Sequence, residues 1–319
     1  MKLNLIALYA ACAVSTSVFA APPPLAEKAQ YKVGFAQSEN NNPWRIAETD
    51  SFKNIAKECG WQLIVTDASG SASKQVSDVN SMIAQRVDVI FLPPREERPL
   101  VPAVKRAKAR GIPVFLVDRK VDETVVKPGE DYVTFIGSDF IKQGEVAAEL
   151  LVKLSGGKGK IIQLEGTTGS TSALDHVVGF NSVIAKYPDM EIVASQTGDY
   201  ARDKGRKVME TLLQTNPDVT MVWAHNDEMA LGAIRAIEAA GLVPGKDIIV
   251  GGKDGTRDGL QAIIDGKMAF IVESTPKFGP LACETMKRYA SGEKIEPWVK
   301  TEDRIFDASN AAQHINDAF

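Results

Sequence analysis

Charged and amide side chains stand directly after short apolar runs of this sequence. Asp118-Arg119 follows Val-Phe-Leu-Val at 114–117, and Asn226 and Asp254 follow two comparable runs later in the chain. Carboxylate, amide and guanidinium groups form planar, directional hydrogen bonds, which are stronger when one partner is charged. Such a set is suited to recognising the neighbouring hydroxyl groups of a small polar ligand.

An aromatic residue joins this set at the start of a predicted helix. Trp44 and Arg45 follow Asn40-Asn41-Asn42-Pro43 there. An indole face could stack on the C–H side of a sugar ring, and the alternative is a core tryptophan. Arg45 could instead be an exposed surface arginine. The adjacency of the two residues beyond a strand favours a ligand-binding role for both.

The residues required for other kinds of chemistry are missing from the sequence. None of His176, His225 and His314 has a second histidine or a cysteine at metal-ligand spacing. Ser170 and Ser172 lack the glycine-flanked nucleophile elbow, and neither G-x-G-x-x-G nor a P-loop pattern occurs. We therefore expect no enzymatic activity, no metal and no cofactor.

The elements that must position these side chains form two similar halves. From Tyr31 onward, apolar runs alternate with helical patterns, which predicts βαβ units and parallel sheets. The same rhythm starts again after a helix at 141–154, so we expect two doubly wound α/β lobes. Ligands of such sheets bind beyond the carboxyl ends of the strands. The residues after each run should therefore face one cleft.

The halves are not separated by a Pro-rich linker or a charge block, so we predict several short crossings instead of one tether. These would lie near 136–138, 275–277 and 299–301. The predicted N-terminal lobe comprises residues 31–136 and 277–299, and the C-terminal lobe comprises residues 138–275 and 301–319.

Each candidate ligand residue also has a plainer structural explanation. Asp118-Arg119 could cap a helix or bridge the lobes, and Asp254 could belong to an Asp-Gly turn. Of Asn226 and Asp227, one could cap a helix while the other faces the ligand. Arg95 lies in a charged loop that could be solvated. The strand-end candidates are Trp44, Arg45, Arg95, Asp118, Arg119, Ser172, Asn226, Asp254 and Glu273.

The first twenty residues are typical of a secretory signal peptide. Lys2 supplies the positive charge, 3–15 the apolar stretch and Val18-Phe19-Ala20 the cleavage site. The mature chain would then begin near Ala21 in the periplasm, and no later apolar run is long enough to be inserted in a membrane. Lipidation of Cys12 is a minor alternative.

Charge and cysteine usage further restrict the partners. The net charge is −4 with interspersed signs, which does not favour binding to nucleic acid or to an anionic membrane. Cys59 and Cys283 lie far apart, each in a helical pattern and without the spacing of a disulfide framework. We predict two free, buried thiols, although the periplasm permits pairing. We expect a monomer.

Five segments form a combined pattern: VGFAQ at 33–37, PWRIAET at 43–49, PVFLVDR at 113–119, AHNDEMALGA at 224–233 and KDG at 253–255. Together they resemble the ribose/galactose class of periplasmic sugar-binding proteins, and its galactofuranose-binding branch in particular. The resemblance spans residues 32–307. It implies two lobes that close around a monosaccharide and dock to an ABC permease with its cytoplasmic ATPase.

By the same resemblance, Trp44-Arg45 would supply the stacking ring and its neighbouring guanidinium. Asp118-Arg119 would bind sugar hydroxyls, Asn226 would supply an amide and Asp254 the carboxylate of the second lobe. His176 stands where the family commonly has an arginine. Arg95 and two glutamates occupy a loop that is small and apolar in the galactofuranose branch. The sugar, whether galactofuranose-like, another hexose or a pentose, therefore stays open.

Three other functions compete with this interpretation. A transcription regulator on the same lobes would need a helix-turn-helix before Tyr31, where the signal peptide and Pro22-Pro23-Pro24 stand instead. An enzyme on the same fold would need a cofactor fingerprint or an activated nucleophile. A sugar sensor would pass its signal to a chemoreceptor or a sensor kinase in place of a transporter.

Overall fold

The structure is a computed structural model that describes residues 21–319, in which strands and helices alternate. The strands are β1 (Tyr31–Gln37), β2 (Trp61–Asp67), β3 (Val89–Leu92), β4 (Val114–Val117), β5 (Phe135–Gly137), β6 (Gly159–Glu165), β7 (Met190–Thr197), β8 (Met221–Ala224), β9 (Ile249–Asp254), β10 (Phe270–Glu273), β11 (Trp298–Lys300) and β12 (Ile305–Asp307). The helices are α1 (Pro43–Ala56), α2 (Ala72–Ala84), α3 (Val101–Ala109), α4 (Phe140–Ser155), α5 (Thr171–Ile184), α6 (Arg202–Thr215), α7 (Asp227–Ala239), α8 (Arg257–Ile264), α9 (Gly279–Ala290) and α10 (Ala311–His314).

The N-terminal lobe is built on a parallel sheet of six strands in the order β11-β5-β4-β3-β1-β2. One face packs against α1 and α9 through Phe35, Phe52 and Met286. The other face packs against α2 and α3 through Ile90 and Val104. Because helices cover both faces, β3 and β4 consist of buried residues only, which explains their uninterrupted apolar sequence.

The C-terminal lobe repeats this plan with six strands in the order β12-β10-β9-β8-β6-β7. The edge strand β12 runs antiparallel to β10, with Phe306 opposite Ile271, and the other pairs are parallel. Strands β11 and β12 have three residues each. Alternation of apolar and polar residues cannot be recognised over so short a run, so the sequence pattern does not predict these two strands. The two predicted doubly wound lobes are confirmed.

The chain passes between the sheets three times within the described residues: from β5 to α4, from β10 to α9 and from β11 to β12. Side chains join the first and third crossings. Ser138 Oγ lies 3.0 Å from Thr301 Oγ1 and donates to Asp303 Oδ1 at 2.8 Å. Gln143 of α4 donates to the other carboxylate oxygen of Asp303 at 2.9 Å. The hinge is therefore a set of short, mutually bonded segments.

The prediction of two free thiols is wrong. Cys59 and Cys283 form a disulfide that joins the turn after α1 to α9, with their Cα atoms 6.2 Å apart. The residues are 224 positions apart in sequence, but α9 returns to the N-terminal lobe after the second crossing and packs along α1. Sequence spacing does not reveal this return, which depends on the topology of both lobes.

Two features are not found in residues 21–319. None of the helices there is long and apolar enough to span a bilayer. Over the same range, no three histidine, cysteine or carboxylate side chains gather as a metal-binding cluster. The predicted signal peptide, residues 1–20, lies outside the described part of the chain.

Candidate ligand-binding site

A small cavity lies between the lobes, where the carboxyl ends of several strands meet. This is the usual ligand position in doubly wound sheets. Seven of the ten predicted residues line it: Trp44, Arg45, Asp118, Arg119, Ser172, Asn226 and Asp254. Asn42, Tyr200 and Lys253 complete the lining.

The start of α1 places the aromatic wall of the cavity. Asn42 caps this helix by accepting from Arg45 N at 2.9 Å, and Pro43 has the fixed φ that suits a first turn. The indole N–H of Trp44 donates to Ser274 O, on the second crossing, at 2.7 Å. The Arg45 guanidinium lies 4.6 Å from the indole ring centre. The ring is thus fixed by the hinge and by its neighbour before any ligand enters.

Asp118 is the carboxylate at the centre of the N-terminal wall. Its Oδ2 accepts from Arg45 Nη2 at 2.6 Å and lies 3.5 Å from Arg119 Nε. Both contacts use the same oxygen, so the lone pairs of Oδ1 remain available for a ligand donor. Asp118 has a φ of 59°, a left-handed conformation that aspartate tolerates better than most residues.

The two arginines of this wall stay charged although they are buried. Burial by itself would lower the pKa of Arg45, but Asp118 and Glu48 raise it above its ordinary value. Burial and the nearby Arg45 lower the pKa of Arg119, yet arginine starts so high that it remains a cation at neutral pH. Burial also raises the pKa of Glu48 to about 7.

The C-terminal wall is held by helix caps and a turn. Asn226 caps α7 by accepting from Met229 N at 2.9 Å, and its Nδ2 donates to Tyr200 O at 3.2 Å. Asp227 does not line the cavity, and its Oδ2 accepts from the backbone N–H groups of Gly255 and Thr256 at 2.9 and 2.8 Å. Asn226 therefore both caps and faces the cavity, whereas Asp227 fixes the turn after Asp254.

Tyr200 and Ser172 form the polar floor beside this wall. The hydroxyl groups of the two residues lie 2.8 Å apart, and the Tyr200 ring lies 5.2 Å from the Arg119 guanidinium of the other lobe. Tyr200 has a φ of 56°, which is unusual for a bulky side chain. Left-handed backbone at Asp118, Tyr200 and Asp254 thus coincides with the cavity wall, where such strain is most often found.

Sequence comparison matches residues 33–294 to the periplasmic binding protein domain. This chain belongs to the periplasmic binding protein family. The galactofuranose-binding protein YtfQ of Escherichia coli (strain K12) is 38% identical over 307 residues, or 95% of this chain and 96% of that protein. The ribose import binding protein RbsB of Bacillus subtilis (strain 168) is 35% identical over 290 residues, or 91% of each.

Solved structures agree with this assignment. The crystal structure of a galactofuranose binding protein has a TM-score of 0.86 at 36% identity, covering 90% of this chain and 98% of that chain. A Mycobacterium smegmatis structure in complex with β-D-fucofuranose also has a TM-score of 0.86, at 42% identity, covering 90% of this chain and 94% of that chain. The predicted resemblance to the galactofuranose-binding branch is confirmed.

Three predicted site residues of this periplasmic binding protein lie outside the cavity. Arg95 instead bridges the lobes, because its long side chain contacts Glu39 in its own lobe and reaches Asp199 Oδ1 of the other at 2.8 Å. Glu273 binds Arg304 through both carboxylate oxygens, since the third crossing brings that arginine beside the end of β10. Neither side chain is free to face a ligand.

His176 points into the core of its own lobe. It is fully buried between Phe140 and Trp223, with Nε2 2.9 Å from Gln143 Oε1. Burial, together with His225 and Lys253, holds its pKa well below the ordinary value, so the ring is neutral. His176 can shape the cavity only through the residues that it supports.

The sequence candidates omitted three lining residues. Tyr200 and Lys253 stand at the ends of β7 and β9, so the strand-end rule that selected Asp118 also points to them. Asn42 carries a different signal, since asparagine before proline at a predicted helix start is typical of a cap.

Proposed function

We propose that this protein is the solute-binding component of an ABC importer, which captures a neutral monosaccharide between its lobes and delivers it to a membrane permease and its ATPase. Export through the signal peptide would place it in the periplasm. The observation that carries the proposal is the cavity wall, where an indole, two arginines, two carboxylates and two amides meet. Relatives named for galactofuranose and ribose binding support the ligand class.

The charges around the cavity favour a neutral ligand. The cations Arg45, Arg95, Arg119 and Lys253 each lie within ion-pair distance of at least one carboxylate, among them Glu39, Asp118, Asp199 and Asp254. A ligand with a net charge would leave one buried group without a counter-charge, which is costly. Sugar hydroxyls can donate and accept without disturbing this balance.

Capture and release would follow from lobe closure, with no covalent step. Lining residues come from both lobes, so a bound sugar contacts both walls only when the lobes are together. A ligand that binds the closed form better shifts the population toward it. The permease could then distinguish loaded from empty protein by the relative position of the lobes.

The proposal predicts stabilisation by monosaccharides. In a thermal-denaturation panel of D-galactose, L-arabinose, D-fucose, D-ribose and D-fructose, at least one sugar should raise the melting temperature. At a sugar concentration one hundred times Kd, binding should add about 2.7 kcal/mol to the free energy of unfolding. Trp44→Ala should reduce the shift, because it removes the stacking face. The exposed variant Asp203→Asn on α6 is the matched control and should respond as wild type does. A panel without any shift would reject the proposed function.

Closure also predicts a role for the Arg95–Asp199 ion pair. It joins the lobes at the cavity rim, beside a second cross-lobe contact from Glu97 N to Gly169 O at 2.9 Å. Asp199→Asn keeps an acceptor oxygen but removes the charge, so sugar dissociation should become about fivefold faster, as expected for a partly exposed pair worth ~1 kcal/mol. Stopped-flow fluorescence would measure it, with Asp203→Asn again as control. An unchanged dissociation rate would show that the pair does not hold the closed form.

A further inference from the structure

Lys253 and Asp254 are consecutive residues of β9, yet both line the cavity. Consecutive side chains of a strand normally point to opposite faces. The alternation is broken by the backbone, because Asp254 has a φ of 129° and Gly255 a φ of 96°. Asp227 fixes this turn by accepting from Gly255 N, Thr256 N and Thr256 Oγ1. The fold therefore brings two opposite charges to one point of the wall.

The ammonium group of Lys253 is buried with few hydrogen-bond partners. Its side chain is 6% exposed, and its Nζ lies 3.0 Å from Asp254 Oδ1. Three aromatic rings also lie near the amine, those of Phe140 at 5.5 Å and of Trp44 and Tyr200 at 6.0 Å. An ammonium group carries three donors. The contact with Asp254 uses one of these donors, and because Lys253 lines the cavity, the others can be offered to a ligand.

Lys253 is also the cation that the C-terminal lobe brings to this wall. The other lining residues of that lobe are Ser172, Tyr200, Asn226 and Asp254, whereas both lining arginines come from the N-terminal lobe. The two buried histidines behind it do not add charge. Burial, reinforced by Lys253, lowers the pKa of His225 to about 3, and His176 is neutral for the same reasons.

We propose that Lys253 determines ligand specificity at the C-terminal wall, by donating to one oxygen of the sugar while Asp254 accepts from the neighbouring hydroxyl. This inference rests on the proposed function. The two contacts together select a neutral sugar that has adjacent oxygens beside Lys253 and Asp254. A deoxy sugar that lacks the acceptor oxygen offers this donor of the buried ammonium no acceptor and binds more weakly. A protonated amino sugar is repelled when its amine lies at that position.

The test compares Lys253→Met with Lys253→Gln, which keeps a donor without the charge, and with Lys105→Met on the exposed face of α3 as control. Isothermal titration at pH 7.5 measures D-galactose, L-arabinose and D-ribose together with 2-deoxy-D-galactose, 2-deoxy-D-ribose, D-fucose and D-galactosamine. For the sugar that wild type binds best, Lys253→Met should lower affinity at least tenfold and Lys253→Gln less. Lys105→Met should change nothing.

If Lys253 determines specificity, its replacement should change the rank order of the sugar affinities. At least one deoxy sugar should bind wild type and Lys253→Met equally, and D-galactosamine should lose less affinity than D-galactose or gain some. Lys253→Gln provides the same comparison if Lys253→Met does not fold. A uniform loss for every sugar would overturn the inference, since it would indicate a purely structural lysine, and so would an unchanged set of affinities. If wild type binds no sugar at all, the proposed function itself fails.

Discussion

Asp118→Asn is expected to weaken monosaccharide binding by about a hundredfold or more while the protein remains folded. Asp118 Oδ1 is the acceptor that the N-terminal wall leaves free, and its charge is already oriented by Arg45 and Arg119. Truncating a buried, hydrogen-bonded charge at an interface costs about 2–5 kcal/mol, and each 1.4 kcal/mol is a factor of ten. Asparagine keeps the shape of the side chain. At the position of Oδ1 it presents either an NH2 donor or an uncharged oxygen, and both are poorer acceptors than the carboxylate.

The fold should survive this substitution for two reasons. Asparagine, like aspartate, tolerates the left-handed φ of 59° at position 118. Arg45 also keeps a counter-charge, because Glu48 lies 2.8 Å from Nη1 and Glu39 lies 4.0 Å from Nε. Asp118→Ala would be a poorer test, since alanine is strained at this φ.

Isothermal titration with the best-binding sugar of the panel would measure the effect, and circular dichroism would check the fold. Asp203→Asn, which removes an exposed carboxylate of α6, is the matched control. A loss of less than fivefold in a folded Asp118→Asn protein would contradict the assignment of this carboxylate to the ligand.

Much of the site could be predicted from the sequence, because the carboxyl end of a strand is a property of local order. The apolar run before Asp118 and the helix pattern after Asn226 are both visible in the sequence, and the sheet topology then brings them to one edge. The strand-end rule does not include the distance between the lobes. It therefore identifies the wall without identifying which side chains point into the cavity.

The remaining features depend on geometry that a single sequence does not encode locally. Arg95 lies beyond a strand end as predicted, but Asp199 is within its reach only because the lobes are together. Alternation along β9 predicts that Lys253 and Asp254 diverge, and the left-handed backbone that unites them is fixed by Asp227, a residue of another element. Each of these depends on a contact between parts of the chain that are distant in sequence.

The pairing of Cys59 and Cys283 is the clearest example, and it predicts a large effect on stability. Replacing both cysteines with serine should lower the free energy of unfolding of the N-terminal lobe by about 3–5 kcal/mol, because the bond closes a long loop and restricts the unfolded chain. The bond joins the turn that follows α1, the helix that carries Trp44, to α9, which follows the second crossing. Its loss should therefore also increase opening of the α1–α9 contact.

Guanidinium denaturation of the mature protein with and without dithiothreitol would measure this effect, with tryptophan fluorescence as a probe because Trp44 and Trp61 pack in the same core as both cysteines. Wild type should shift to a lower midpoint on reduction, whereas the double serine variant should start at that lower midpoint and not respond. A thiol assay on denatured, unreduced mature protein should detect no free cysteine. Two reactive thiols, or equal midpoints with and without reductant, would show that the pair is not bonded. That outcome would restore the arrangement that the sequence spacing alone predicts.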